Sequence, residues 1–279
     1  MRITRRLVRQ GGAGPRGARP GPLTRRAVGG RRRRPASGTS RHPATLSPPP
    51  SARERALTEL ADDLEHVLLR PGITPAEVDD ACAAAVELGL PAVIVWPNAV
   101  GQAAAAAGGS RVAVVAAVGA PYGASVRDTK LDEARRAITA GARHLAVAVD
   151  AGRFRGGDAG ALAGELVAVC YLAHTEGVHV RAVLQAGLLN EEELVIAGRL
   201  ASEAGADLLQ TGFGSAGDAH ATVAQVQAAR RAVPPRRMTI GVVAGGALDA
   251  AAARDLLAAG AERVAVAAPA TLLGRVAVA

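Results

Sequence analysis

Lys130 is the one lysine in a chain of 279 residues, and the other 32 basic side chains are all arginine. A lysine amine can attack a carbonyl and form an imine; arginine, protonated at any working pH, cannot. Lys130 stands near the start of a helical stretch, Arg127–Ala140, where a structural or electrostatic duty competes with the nucleophilic one. Asp150 closes the apolar run His144–Val149, and a carboxylate at a strand end can contact a ligand or move protons. Two glycine-rich phrases also follow apolar runs: Gln210-Thr211-Gly212-Phe213-Gly214-Ser215-Ala216-Gly217 and Val243-Ala244-Gly245-Gly246-Ala247. Each precedes a helical stretch, so its backbone N–H groups could cradle a phosphate, although tight turns would need the same glycines. His144, His174, His179 and His220 show no His-Glu-x-x-His spacing, so no metal site is expected. Asp128, Asp132 and Glu133 read as charges capping a helix. Nothing in these patterns calls for a cofactor.

The elements that must position these groups alternate along the chain. Short apolar runs predict strands at Val67–Leu69, Ala92–Val95, Val112–Val118, His144–Val149, Val178–Leu184, Leu208–Thr211, Met238–Val243 and Val264–Ala267. Between them, helices are predicted near Pro75–Leu88, Ala99–Ala107, Arg127–Ala140, Ala159–Glu176, Glu191–Ala204, Ala219–Val233 and Ala250–Ala259. Thr74 before Pro75 and Glu77, and Asn190 before three glutamates, are helix starts. Gly89, Gly141, Gly177, Gly205 and Gly260 are helix stops, each just ahead of a strand. Continuous apolar strands separated by helices imply a parallel sheet covered on both faces. Eight of them over about 220 residues match a (β/α)8 TIM barrel, and the glycine fingerprint of a dinucleotide-binding doubly wound sheet is absent. Chemistry in such a barrel belongs at the C-terminal ends of the strands.

Composition sets the outer limits. Hydrophobic residues are 49% of the chain and aromatics only 2%, so a full core must be built from Ala, Val, Leu and Ile. Cys82 and Cys170 lie in helical stretches and read as small core residues; two thiols exclude a disulfide framework. No apolar run is long enough to span a membrane. The net charge of +8 is unevenly spread, with +14 on residues 1–55 and −6 on residues 56–279. Residues 1–55, rich in Arg, Gly and Pro, read as a disordered basic tail, and residues 56–279 as the barrel. The tail is read as a solvated extension or the result of a start codon placed too far upstream. A nucleic-acid arm and a targeting segment are the competing readings. The barrel itself has no basic surplus for nucleic acid. The expected setting is the cytoplasm, with assembly into a homo-oligomer left open.

A resemblance is carried by phrases that run in order through residues 60–275. They are His66-Val67-Leu68-Leu69-Arg70-Pro71 with Thr74, Val95-Trp96-Pro97-Asn98, and Val118-Gly119-Ala120-Pro121-Tyr122-Gly123-Ala124. Thr129-Lys130 with Glu133-Ala134, Val183-Leu184 with Leu188-Leu189, Ala204-Gly205-Ala206-Asp207, Thr211-Gly212-Phe213-Gly214 and Gly245-Gly246 follow. In these phrases the body resembles the deoxyribose-phosphate aldolase family, whose members cleave deoxyribose 5-phosphate to glyceraldehyde 3-phosphate and acetaldehyde through a Schiff base. The resemblance assigns the Schiff-base lysine to Gln210 and a second lysine to Val243. It assigns the acids of the fourth and fifth strands to Ala146 and Gln185, and a phosphate-holding serine pair to Ala267-Ala268. Asn98 stands where relatives often carry cysteine, and Asp150 where they carry asparagine.

Three functional readings follow. The first is an aldolase-like barrel that binds a small sugar phosphate or aldehyde without imine chemistry, with Asn98, Gln185, Gln210, Thr211, Gly212, Gly214, Gly245 and Gly246 as ligand-binding residues. The second is an enzyme of changed chemistry using Asp150, Asn98, Gln185 and Gln210. The third is a working aldolase, which requires Lys130 or an amine placed elsewhere as the nucleophile.

Overall fold

The computed structural model describes residues 52–214, 221–233, 237–244 and 248–274. The basic tail up to residue 51, and with it Gly245 and Gly246, lie outside the described residues.

Helix α1 (Ala52–Ala61), which begins within the stretch assigned to the tail, leads into β1 (Leu64–Leu68). There follow α2 (Pro75–Leu88), β2 (Ala92–Val95), α3 (Val100–Ala106), β3 (Ala113–Val118) and α4 (Arg127–Thr139). Next come β4 (His144–Ala148), α5 (Ala151–Arg155), α6 (Ala159–Thr175), β5 (His179–Val183) and α7 (Glu191–Glu203). The described chain ends through β6 (Leu208–Gln210), α8 (Val223–Ala232), β7 (Thr239–Val243), α9 (Ala250–Ala258), β8 (Arg263–Val266) and α10 (Pro269–Leu272). The strands pair in parallel, each with its sequence neighbour, and β8 closes on β1. The architecture is therefore the (β/α)8 TIM barrel expected from the alternation.

Local chemistry explains the boundaries. Thr74 and Asn190 each accept a hydrogen bond from the backbone N–H three residues on, and Glu77 and Glu193 reach back to complete capping boxes. Gly89 ends α2 in the left-handed conformation, φ 68°. The first strand starts three residues earlier than the apolar run suggested, because its charged residue has a partner. Glu65 receives a bidentate hydrogen-bonded pair from Arg181 on β5, at 2.6 and 3.0 Å, with both side chains buried.

Alternation along the strands sorts the core into two layers. Val93, Val95, Leu145, Val147, Leu209, Ile240 and Val242 face the helices. Ala92, Ile94, Val115, Ala117, Ala146, Ala148, Val183, Val243 and Ala265 face the barrel axis. The inner layer is rich in alanine, and Phe213, from the segment after β6, packs into it. Cys82 and Cys170 are buried in the outer layer, and burial pushes their thiols up to about 11 and about 12, so they behave as small apolar residues.

Two glycines after β3 carry close approaches. Gly119 (φ 64°) lies over the Lys130 stem, and a Cβ there would come within 2.8 Å of Lys130 Cε. Gly123 (φ 72°) sits against the carbonyl of Val149, which cannot move without disturbing β4. Gly123→Ala is therefore expected to cost ~1–3 kcal/mol from backbone strain alone, with the clash added. Urea denaturation checks this; an unchanged midpoint would refute it.

Candidate functional site

The C-terminal ends of the strands form the barrel mouth, and their inward residues are unusually apolar. Val243 ends β7, Ala146 and Ala148 line β4, and all three belong to the inner layer. Ala267 and Ala268 follow β8. At the end of β6 stands Gln210, buried and paired in register with Val183 of β5. Its Nε2 donates to the Gly212 carbonyl at 2.7 Å, which ties the side chain to the turn that follows.

Gln185 is the most constrained residue here. It is buried, and among the described residues it is the one non-glycine with positive φ, at 51°. A left-handed glutamine costs on the order of 1 kcal/mol and marks a position that the surroundings over-determine. The neighbouring bonds show how it is held. Leu184 N–H donates to the Gln210 carbonyl at 3.0 Å, Ala186 N–H to the Thr211 carbonyl at 2.6 Å, and Gln185 Nε2 to the Val149 carbonyl at 3.4 Å. Thr211 is buried too, its hydroxyl accepting from Val243 N–H at 3.3 Å. Gln185, Gln210, Thr211 and Gly212 thus form one hydrogen-bonded group across the ends of β4 to β7. Gly214 beyond them is exposed, with φ 70°.

Lys130, Asp150 and Asn98 are elsewhere. Lys130 is fully buried on α4, behind β3 and β4, where its ammonium donates to Glu165 of α6 at 2.6 Å and to the Ala148 carbonyl at 2.8 Å. Burial pushes the Glu165 carboxyl up, against the opposing pull of Lys130. Glu133, one of the acids read as a helix charge, instead accepts from Gly119 N–H at 2.6 Å and so fixes the β3 turn. Asp150 caps α5 by accepting from Arg153 N–H at 2.9 Å. With Ser125, Asp128 and Glu165 it lines a polar cavity of about 370 Å³ between α4 and α6. Asn98 is exposed in the turn after β2 and lines a third cavity, of about 300 Å³, with Thr74 and Gln102. The structure therefore unites the β5–β6 glutamines with Thr211 and Gly212. Asp150 follows Val149, to whose carbonyl Gln185 donates, but its carboxylate is used in the α5 cap, while Lys130 is paired with Glu165 and Asn98 lines another cavity. Among the described residues no group of three or more His, Cys, Asp or Glu side chains is placed to hold a metal ion, and no helix is long and apolar enough to cross a membrane.

The largest of these three cavities, about 840 Å³, opens at the mouth over β1, β7 and β8. Val67, Leu69, Trp96, Tyr122, Phe213 and Val243 contribute to its wall, and His66, Arg70, Glu77 and Asp80 supply its charged or titratable groups. His66 Nε2–H donates to the Ala267 carbonyl at 3.1 Å and ties β1 to the segment after β8; burial holds its ring below the ordinary imidazole pKa. Arg70 is paired with Glu77, which the Thr74 backbone N–H holds below the usual carboxylate range. Trp96 Nε1–H donates to the Arg70 carbonyl at 3.4 Å. Among the described candidate residues, only Gly214 lines this cavity. The aromatic residues there carry no catalytic signature, but in a chain with two Phe, two Tyr and one Trp their coincidence at strand ends was the available signal.

No family model matches the chain. Individual relatives do. The chain is 37% identical over 211 residues to a protein of Mycobacterium bovis named deoxyribose-phosphate aldolase, covering 74% of this chain and 91% of the relative. It is 35% identical over 204 residues to one of the same name from Brevibacillus brevis, covering 72% and 89%. Among solved structures, a chain from Coccidioides immitis assigned as a deoxyribose-phosphate aldolase superposes with a TM-score of 0.72 at 27% identity, covering 78% of this chain and 85% of that one. The tetrameric deoxyribose phosphate aldolase of Aeropyrum pernix, at 23% identity, a TM-score of 0.70 and coverage of 81% and 97%, shares the fold.

Proposed function

The chain belongs to the deoxyribose-phosphate aldolase family, and from that premise we propose that it binds a small phosphorylated or carbonyl ligand at the barrel mouth without forming a Schiff base. One observation carries the reading: buried Gln210 stands at the end of β6, where the resemblance puts the reactive amine. An amide nitrogen is not a nucleophile toward carbonyls, because its lone pair is delocalised. The neighbouring positions support the same reading. Val243 has no charge with which to depress an amine pKa, and Ala146 has no proton to give or take. Gln185 cannot act as a general acid at neutral pH. The chain's one lysine is an ammonium engaged by a carboxylate and a carbonyl on the far side of β3 and β4. An imine requires a free amine with room for the incoming carbonyl, and Lys130 has neither.

The test is borohydride reduction in the presence of acetaldehyde, read by intact mass on the full chain and on Lys130→Met. Methionine suits the variant because it keeps an unbranched stem beneath Gly119 and carries no amine. No lysine adduct is expected in either protein. An adduct on the parent that disappears in Lys130→Met would overturn the proposal and make Lys130 the nucleophile. An adduct common to both would belong to the N-terminal amine, and peptide mapping would place it there.

A further inference from the structure

The mouth cavity is chemically lopsided in a way that selects between the two ligand classes just proposed. We infer that it receives an uncharged, ring-bearing, largely apolar molecule and turns sugar phosphates away; this rests on the reading that the mouth is a ligand site. Three observations carry it. The first is the concentration of rings: of five aromatic residues in 279, Trp96, Tyr122 and Phe213 all line this one cavity. Aromatic faces stack on flat apolar ligands, and rings of this kind line pockets that take apolar small molecules.

The second is charge. The described lining holds one permanent cation, Arg70, already neutralised by Glu77, and Asp80 adds a carboxylate. The described lining is therefore net negative, with His66 kept neutral by burial. A phosphate dianion entering it would lose hydration and meet carboxylates. The third is the wall where the resemblance places phosphate-holding serines. Ala267 and Ala268 offer methyl groups there, and Val243 and Ala244 continue the apolar surface toward β7. A cavity of about 840 Å³ has room for far more than a five-carbon sugar. Burying apolar ligand surface in it is favourable at roughly 25 cal/mol per Å².

The experiment is isothermal titration calorimetry of the full chain with three probes: 4-phenylbutan-2-one, deoxyribose 5-phosphate and benzyltrimethylammonium. The parent is compared with Tyr122→Ala, an exposed rim residue, and with Ala84→Trp, which fills the cavity from α2. The ketone is expected to bind with a negative heat-capacity change and to shift the emission of Trp96, the only tryptophan. Tyr122→Ala should weaken it about fivefold, the worth of one aromatic contact, and Ala84→Trp should abolish it. The inference is overturned if the folded protein ignores the ketone, or if neither variant alters its binding. It is equally overturned if the phosphate or the ammonium probe binds more tightly. Tight binding of deoxyribose 5-phosphate without a borohydride adduct would sink this inference and leave the proposed function standing. A lysine adduct would sink the proposed function instead.

Discussion

Arg181→Met is expected to lower the free energy of unfolding by ~3–5 kcal/mol. The reason lies at the N-terminal end of the barrel, where Arg181 reaches from β5 to Glu65 on β1 through two hydrogen bonds of 2.6 and 3.0 Å. The side chains are 3% and 2% exposed, so water cannot take over for a missing partner. Removing the guanidinium leaves a carboxylate inside the barrel with its main counter-charge gone. The ion pair itself is worth far less, because each charge lost its hydration on folding. Arg181 Nε already lacks a hydrogen-bond partner, which reduces the pair's value further. The double variant Glu65→Leu/Arg181→Met should therefore recover most of the loss and approach the parent. Urea denaturation of the four proteins in this cycle measures it. A double variant as unstable as the worse single variant would show that the pair is intrinsically stabilising and that the argument fails.

The same pair shows where the sequence stops being readable. Strand and helix order follow from apolar runs and from glycine stops, because those signals act within a few residues of one another. Thr74 and Asn190 cap as their spacing requires. Glu65 and Arg181 are 116 residues apart, and nothing local marks them as partners. Only closure of the barrel, which sets β1 beside β8 and aims both side chains inward, makes a buried charge tolerable there. Lys130 is similar: its place in a helix was legible, but its complete burial depends on Glu165, 35 residues on, packing across from α6. At the mouth, Gln210 is the residue that the resemblance sets at the lysine position, and its seat at the end of β6 follows from the apolar run before it. The left-handed backbone of Gln185 was not, since glutamine has no intrinsic preference for it. The short α5 also escaped, because five residues carry no helical period and its stability comes from the Asp150 cap. The cavity rings escaped because Trp96, Tyr122 and Phe213 come from three separate loops.

His144 is expected to make the fold sensitive to mild acid. It opens β4, with its ring centroid 5.1 Å from that of His179 on β5. Burial pulls its pKa from the ordinary 6.5 down to about 3, helped by Arg181 on β5, His179 and Arg263 on β8, and opposed by Asp207. A histidine depressed in the folded state is neutral there while the unfolded chain binds a proton. Its contribution is therefore complete above about pH 6.5 and is lost as the pH falls from there toward 3. The slope is at most ~1.4 kcal/mol per pH unit, so the full window amounts to as much as ~5 kcal/mol. Asp207 acts in a lower window. Although burial raises it, bonds from Val180 N–H and from His174 hold it below the usual carboxylate range. Its stabilisation is present above the unfolded carboxylate pKa, near 3.8, and is lost only below that. The two contributions separate between pH 6.5 and 4.5, where His144, joined by His66 with its burial-lowered pKa, takes up a proton on unfolding and Asp207 does not. His144→Leu should flatten the dependence of the urea midpoint on pH over that interval while leaving the fall below pH 4 in place. An equal slope in parent and variant would assign the acid sensitivity to another group and refute the role given to His144.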